Sequence, residues 1–185
     1  MTRTLVLGGA RSGKSAYAER LAAASGREVV YIATAQAGDG EMARRIALHR
    51  EQRPAQWQTV EEPLALAKTL RAWRSAQRVV LVDCLTLWLS NLLFAGGASY
   101  PEVGHIALPA RFGEERAALL EELARPDGDV ILVSNEVGLG IVPYGAVSRA
   151  FTDEAGRLNQ AVAALCDRAL FIAAGLPLNL KGTPC

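Results

Sequence analysis

Residues 4–15 read TLVLGGARSGKS, and the fold follows from this stretch. Thr4–Gly8 is a short β-prone apolar run that ends in glycine. A helical pattern begins at Lys14 and continues to Ser25, with Gly26 placed to cap its C-terminal end. Between strand and helix, Gly8-Gly9-Ala10-Arg11-Ser12-Gly13-Lys14-Ser15 fits GxxxxGK[ST], a phosphate-binding loop in the context that its mechanism requires. Glycines permit torsions that turn successive backbone N–H groups towards phosphate oxygens, and the helix N-terminus adds positive potential. In this reading Lys14 reaches the β- and γ-phosphates, and the Ser15 hydroxyl is a hard oxygen ligand for Mg²⁺.

Working outward, the same alternation of strand and helix recurs. Glu28–Ala33 (EVVYIA) reads as a second strand, Glu41–Arg53 as a helix stopped by Pro54, and Trp57–Val60 as a short strand. Pro63 opens a helix to about Ala76. Arg78–Asp83 (RVVLVD) and Asp129–Ser134 (DVILVS) are continuous apolar strands of the kind buried on both faces of a parallel sheet. Leu85–Phe94, Ala110–Ala124 and Ser148–Cys166 read as helices, and Arg168–Ala173 (RALFIA) as the last strand. Gly96–Pro109 and Glu136–Tyr144 gather Gly and Pro without a period and read as loops, the first of them mobile. The pattern predicts a mostly parallel, doubly wound α/β sheet flanked by helices, with residues 1–185 as a single nucleotide-binding domain. In such sheets ligands bind beyond the carboxyl ends of the strands.

Composition narrows the function. Half of the 185 residues are hydrophobic and 21% are charged, so the chain can bury a core. Twenty Lys and Arg balance nineteen Asp and Glu, a net charge of +1 that argues against a nucleic-acid-binding surface. Val79–Ala95, the longest apolar stretch, is broken by Asp83 and Asn91, and no membrane span is expected. The N-terminus lacks the core of a signal peptide, which points to the cytoplasm. Cys84, Cys166 and Cys185 are odd in number and form no CxxC pair, so the expectation is reduced, packed thiols with no zinc site.

Two residues outside the loop carry chemistry. Asp83 ends the strand RVVLVD and is placed to be the second Mg²⁺ partner, although an Asp there can also cap the following helix. His49 shares a helix face with Arg45 and Arg53 at i−4 and i+4, with Arg50 adjacent. Such cations keep an imidazole neutral, hence nucleophilic, and attract a triphosphate. Met42 and Ile46 lie on the same face, so packing alone is the other reading. His105, in the loop Gly96–Pro109, has no such cluster and reads as a surface residue. The guanine-specificity motif NKxD is absent, and the DxxG at Asp153–Gly156 falls in a helix, which disfavours a signalling GTPase.

Further motifs occur in order: YIAT at Tyr31–Thr34, HREQRPAQWQTVEEP at His49–Pro63, VDCLTLWLSNLL at Val82–Leu93, SNEVGLGIVP at Ser134–Pro143 and RAFTDEAGRLNQ at Arg149–Gln160. With the loop GGARSGKS, this chain resembles the bifunctional cobinamide kinases and cobinamide-phosphate guanylyltransferases of cobalamin assembly over nearly its whole length. The resemblance implies a RecA-like fold assembled as a homotrimer. It implies phosphorylation of the aminopropanol hydroxyl of adenosylcobinamide with ATP or GTP, then transfer of GMP from GTP to that phosphate through a guanylylated His49. It carries nucleotide contacts onto Gly8–Ser15, Ala33, Thr34, Ala35, Arg50, Glu51, Gln52, Arg53, Glu61 and Asp83. Glu136, Arg149, Asp153, Asn159 and Gln160 match family positions without an assigned role, and Gly96–Pro109 matches none. Because the two reactions attack different phosphorus atoms, the helix bearing His49 is expected to move on Gly38 and Gly40. A small-molecule kinase without nucleotidyl transfer and a non-catalytic nucleotide-binding regulator are the alternatives.

Overall fold

The computed structural model describes residues 1–36, 54–125 and 127–183. The expected helix Glu41–Arg53, with His49 and its arginines, lies outside these residues, as do Gly38, Gly40 and Cys185. Among the described residues seven strands form one sheet, in the order β3-β2-β4-β5-β1-β6-β7. They are β1 (Arg3–Gly8), β2 (Glu28–Ala33), β3 (Gln58–Glu61), β4 (Arg78–Asp83), β5 (Asp129–Asn135), β6 (Arg168–Ala173) and β7 (Leu176–Lys181). All neighbouring pairs are parallel except β6 and β7. Among the described residues five α-helices connect them: α1 (Lys14–Ala24), α2 (Leu66–Trp73), α3 (Leu85–Phe94), α4 (Ala110–Ala124) and α5 (Ala146–Leu165).

The period of two along each strand divides the core cleanly. Leu5, Val30, Ile32, Val80, Val82, Val130 and Leu132 point to one face, where Leu66, Trp88, Phe112, Leu119 and Leu158 of α2 to α5 cover them. Val6, Val29, Tyr31, Val79, Leu81, Ile131 and Val133 point to the other, against Ala18 and Ala22 of α1. Both faces of the central strands are therefore dry, which is why β4 and β5 read as unbroken apolar runs. The expected architecture is present, and no described helix is long and apolar enough to cross a membrane.

Three expectations are corrected. Arg168–Ala173 is not the last strand, because the chain turns through Ala174 (φ 51) and Gly175 (φ 79) and returns antiparallel as β7. Two positive φ values are what a tight hairpin demands, but Ala-Gly lacks the usual Asn-Gly signal and Pro177 argues against a strand; β7 survives as an edge strand. The helix expected from Pro63 begins at Leu66, because the Glu62 carboxylate accepts the N–H groups of Leu64 (2.8 Å) and Ala65 (2.7 Å) and holds a turn ahead of it. That helix ends at Trp73 rather than near Ala76, since Arg74 turns extended and its guanidinium bonds the carbonyl oxygens of Glu122 and Arg125. The last helix starts at Ala146, one turn's fraction before Ser148.

Candidate active site

The carboxyl ends of the parallel strands bring the candidate residues to one edge of the sheet. Gly8, Asn135, Asp83, Ala33 and Glu61 are the last residues of β1, β5, β4, β2 and β3 in turn. From β1 the chain passes over β5 and β4 to form β2, and later returns to place β6 on the opposite side of β1. The crevice at this reversal is where an open α/β sheet receives a ligand.

The loop between β1 and α1 is tightly specified. A Cβ at Gly8 would stand 2.6 Å from the Ile172 carbonyl oxygen and 2.5 Å from Ser12 Oγ, so only glycine fits. Gly13 has φ 91, a left-handed conformation that favours glycine, and its pro-Cβ position lies 3.1 Å from Gly175 Cα. The Gly175 N–H donates to the Ser12 carbonyl oxygen at 2.8 Å. The unforeseen β6–β7 turn thus braces the loop from behind. Ser12 Oγ is buried without a partner among the described residues.

Lys14 opens α1 and is only 8% exposed, with its ammonium donating to the Gly9 carbonyl oxygen at 3.1 Å. Burial pushes its pKa below the usual lysine value, and the nearby Cys84 and Asp83 oppose that shift. Burial raises the Cys84 thiol to about 11, so at neutral pH the thiol carries no charge and Asp83 is the anion facing Lys14. A partly desolvated ammonium beside one carboxylate, at a helix N-terminus, is chemically able to exchange its carbonyl partner for an anion's oxygens.

Asp83 does not cap α3: the cap residue is Cys84, and no side-chain capping bond is made there. The Tyr31 hydroxyl instead donates to Asp83 Oδ2 at 2.9 Å. Thr34 has its side chain committed inside the fold. Its hydroxyl donates to the Cys84 carbonyl oxygen (2.8 Å) and accepts the Cys84 N–H (2.9 Å), and the residue is 0% exposed. Asn91 donates to the Thr34 and Pro63 carbonyl oxygens, fixing the segment after β2 to α3. Glu61 is exposed at the end of β3 and Ala35 is half-buried just beyond β2. Arg50, Glu51, Gln52, Arg53 and His49 lie outside the described residues.

The unassigned family positions divide. The Asn159 amide donates to the Asn135 carbonyl oxygen at 3.3 Å, and Asn135 Nδ2 donates to Thr86 Oγ1 at 2.6 Å. Glu136 accepts the Gly138 N–H at 2.6 Å, and Arg149 ties together the Pro143, Tyr144 and Gly104 carbonyl oxygens. These roles hold loops. Asp153 lines a cavity of about 320 Å³ with His105, Arg149 and Arg157, and Gln160 is exposed. The hydroxyl of Tyr31 and the amide of Asn135 were not anticipated. Residues 29, 31 and 33 share a sheet face with 79, 81 and 83, and that parity was the available signal for Tyr31.

A glycine-rich loop after the interior strand β1, a buried lysine at the following helix and a carboxylate at a nearby strand end define a P-loop nucleotide-binding protein of the α/β class. Solved structures agree on the fold. The chain aligns with a type III secretion ATPase at 15% identity and a TM-score of 0.56, covering 96% of this chain and 56% of that one. It aligns with the flagellar accessory protein FlaH of Methanocaldococcus jannaschii at 13% identity and a TM-score of 0.51, covering 98% and 79%. Residues 4–180 match the family described as cobinamide kinase / cobinamide phosphate guanyltransferase, and the chain belongs to that enzyme family. It is 60% identical over 182 residues to the bifunctional adenosylcobalamin biosynthesis protein CobP of Pseudomonas aeruginosa, covering 98% of this chain and 99% of the relative. It is 42% identical over 179 residues to the protein of Escherichia coli named bifunctional adenosylcobalamin biosynthesis protein CobU, covering 96% and 98%.

Proposed function

We propose that this chain carries out both reactions of its family at the strand ends around Lys14. In the first, the aminopropanol hydroxyl of adenosylcobinamide attacks the γ-phosphorus of ATP or GTP, forming a phosphate ester and releasing the nucleoside diphosphate. In the second, an imidazole nitrogen of His49 attacks the α-phosphorus of GTP. The N–P bond forms as the bond to the β-phosphate oxygen breaks, and pyrophosphate leaves with the electron pair. The phosphate of adenosylcobinamide phosphate then attacks the guanylyl phosphorus, freeing His49 and yielding adenosylcobinamide-GDP.

The observation that carries this reading is the buried Lys14 ammonium, held at the mouth of the glycine loop with Asp83 as its counter-charge. Lys14 neutralises charge on the triphosphate, and the loop N–H groups orient it for displacement. The hydroxyl of Ser15 and the carboxylate of Asp83 are hard oxygen donors, and one carboxylate with substrate phosphates is the donor set that suits Mg²⁺. When bound there, Mg²⁺ would neutralise charge on the triphosphate oxygens. Ala33, Thr34, Ala35, Glu61 and Arg50–Arg53 complete the proposed nucleotide contacts, with Thr34 acting through its backbone because its hydroxyl is internally bonded.

Residues 1–185 act in this proposal as one nucleotide-binding domain in the cytoplasm, where nucleoside triphosphates are available. Self-association is supported by the exposed apolar side chains of Leu176, Leu178 and Leu180 on the edge strand β7, and the family resemblance makes the proposed assembly a homotrimer. The proposal is tested by following label from the γ-phosphate of ATP and GTP onto adenosylcobinamide. Wild-type protein is expected to transfer it, and Lys14→Met to lose at least about 100-fold in rate. Undiminished transfer by Lys14→Met would refute the assignment.

A further inference from the structure

A carboxylate binds a cation more tightly when a hydrogen bond holds its orientation, and Tyr31 is positioned to hold Asp83 in this way. Tyr31 sits on β2, which pairs directly with β4 in the register Tyr31↔Leu81 and Ala33↔Asp83. The strand pleat sends residues 31 and 83 to the face covered by α1, the helix that begins with Lys14 and Ser15. The phenol ring is 2% exposed among Val29, Leu81 and Ala18, and its hydroxyl reaches Asp83 Oδ2 at 2.9 Å. A rigid ring in a packed interior leaves the hydroxyl little freedom. One O–H donor fills one of the carboxylate's four or so lone-pair sites and leaves the others for a cation.

We propose that Tyr31 is a positioning residue that orients the Asp83 carboxylate for a divalent cation carried by the nucleoside triphosphate. This rests on the assignment of Asp83 to Mg²⁺ made above. Outer hydrogen-bond partners of metal-binding carboxylates fix ligand orientation, and their loss weakens metal binding by roughly tenfold or more. Tyr31→Phe removes the hydroxyl and keeps the ring, so the packing of β2 against α1 is retained.

The test is Mn²⁺ binding to the full chain in the presence of a non-hydrolysable GTP analogue, read from the electron paramagnetic resonance of free Mn²⁺. Tyr31→Phe is expected to weaken Mn²⁺ by about tenfold, while affinity for the analogue without divalent ions stays at the wild-type value. Asp83→Asn is expected to weaken Mn²⁺ at least as much, and Tyr31→Phe to add nothing in that background. A merely structural role for Tyr31 would lower affinity equally with and without Asp83, or would weaken the metal-free nucleotide too; either result overturns the proposal. If Asp83→Asn loses Mn²⁺ but Tyr31→Phe binds as wild type, Tyr31 has no positioning role although Asp83 remains the ligand. If Asp83→Asn binds Mn²⁺ as wild type, the metal assignment fails and the role of Tyr31 fails with it.

Discussion

Gly8→Ala tests how the loop is built. Gly8 pairs with Asn135 on one side and Ile172 on the other, so it is held in register by two neighbours at once. The added methyl would lie 2.6 Å from the Ile172 carbonyl oxygen, at least 0.8 Å inside the 3.4 Å at which ordinary contact begins. Ser12 Oγ, at 2.5 Å, can rotate away, but the Ile172 carbonyl belongs to an interior strand and moves only by disturbing the ladder between β1 and β6. Overpacking of this kind costs about 1–3 kcal/mol. For a chain of this size each kcal/mol lowers the melting temperature by about 2–4 °C, so a fall of about 2–12 °C is expected. Gly9 is the internal control, because a Cβ there meets nothing within 4 Å. Calorimetry on the two variants without ligand reads the difference directly. If Gly8→Ala melts within about 1 °C of wild type, or Gly9→Ala falls as far as Gly8→Ala, the close approach of β6 is not what demands glycine.

Glu122 has a side chain 3% exposed and pairs with Arg74, itself 2% exposed, and with the more open Arg71 and Arg125. Glu122→Gln strands the Arg74 charge and is expected to lower urea-unfolding stability by about 3–5 kcal/mol, whereas Arg125→Ala should cost under about 1 kcal/mol. Burial raises the thiols of Cys84 to about 11 and Cys166 to about 12, so neither is expected to react with a disulfide reagent at pH 8 until urea unfolds the protein. Both values exceed that of an unfolded thiol, so this contribution to stability is intact below pH 9 and is lost as the pH rises towards 11 and 12. Asp167 is the opposite case. The Arg3 side chain, then its N–H, hold the carboxyl below 3.8, so its contribution is present above that pH and is lost as the pH falls through the depressed value. Asp167→Asn should therefore lower the neutral plateau modestly and flatten the acid side of the stability profile below about pH 4, where the variant and wild-type curves converge.

What could be read from residues alone follows from local physics. The strand, loop and helix at Thr4–Ser25 combine a glycine spacing, a cap at Gly26 (φ 67) and a change of period, each pointing the same way. RVVLVD and DVILVS were legible because a strand buried on both faces must be apolar throughout. β7 was not, since its leucines alternate but Pro177 and an Ala-Gly turn argue against a hairpin; its contribution to the loop comes from tertiary contact at Gly175. The grouping of Lys14 with Asp83 was anticipated from strand ends, although β5 stands between β1 and β4. The internal commitment of Thr34 and the bond from Tyr31 to Asp83 depend on which strands are neighbours, and chain order does not state that.

In the proposed second reaction GMP passes through His49. The most direct measurement is incubation with MgGTP labelled at the α-phosphate, followed by denaturation and peptide mapping. One labelled peptide containing His49 is predicted, acid-labile and base-stable, discharged by adenosylcobinamide phosphate and absent in His49→Ala. Label retained at full level in His49→Ala, or turnover to adenosylcobinamide-GDP with no protein-bound label at any time, would show that GMP does not pass through His49.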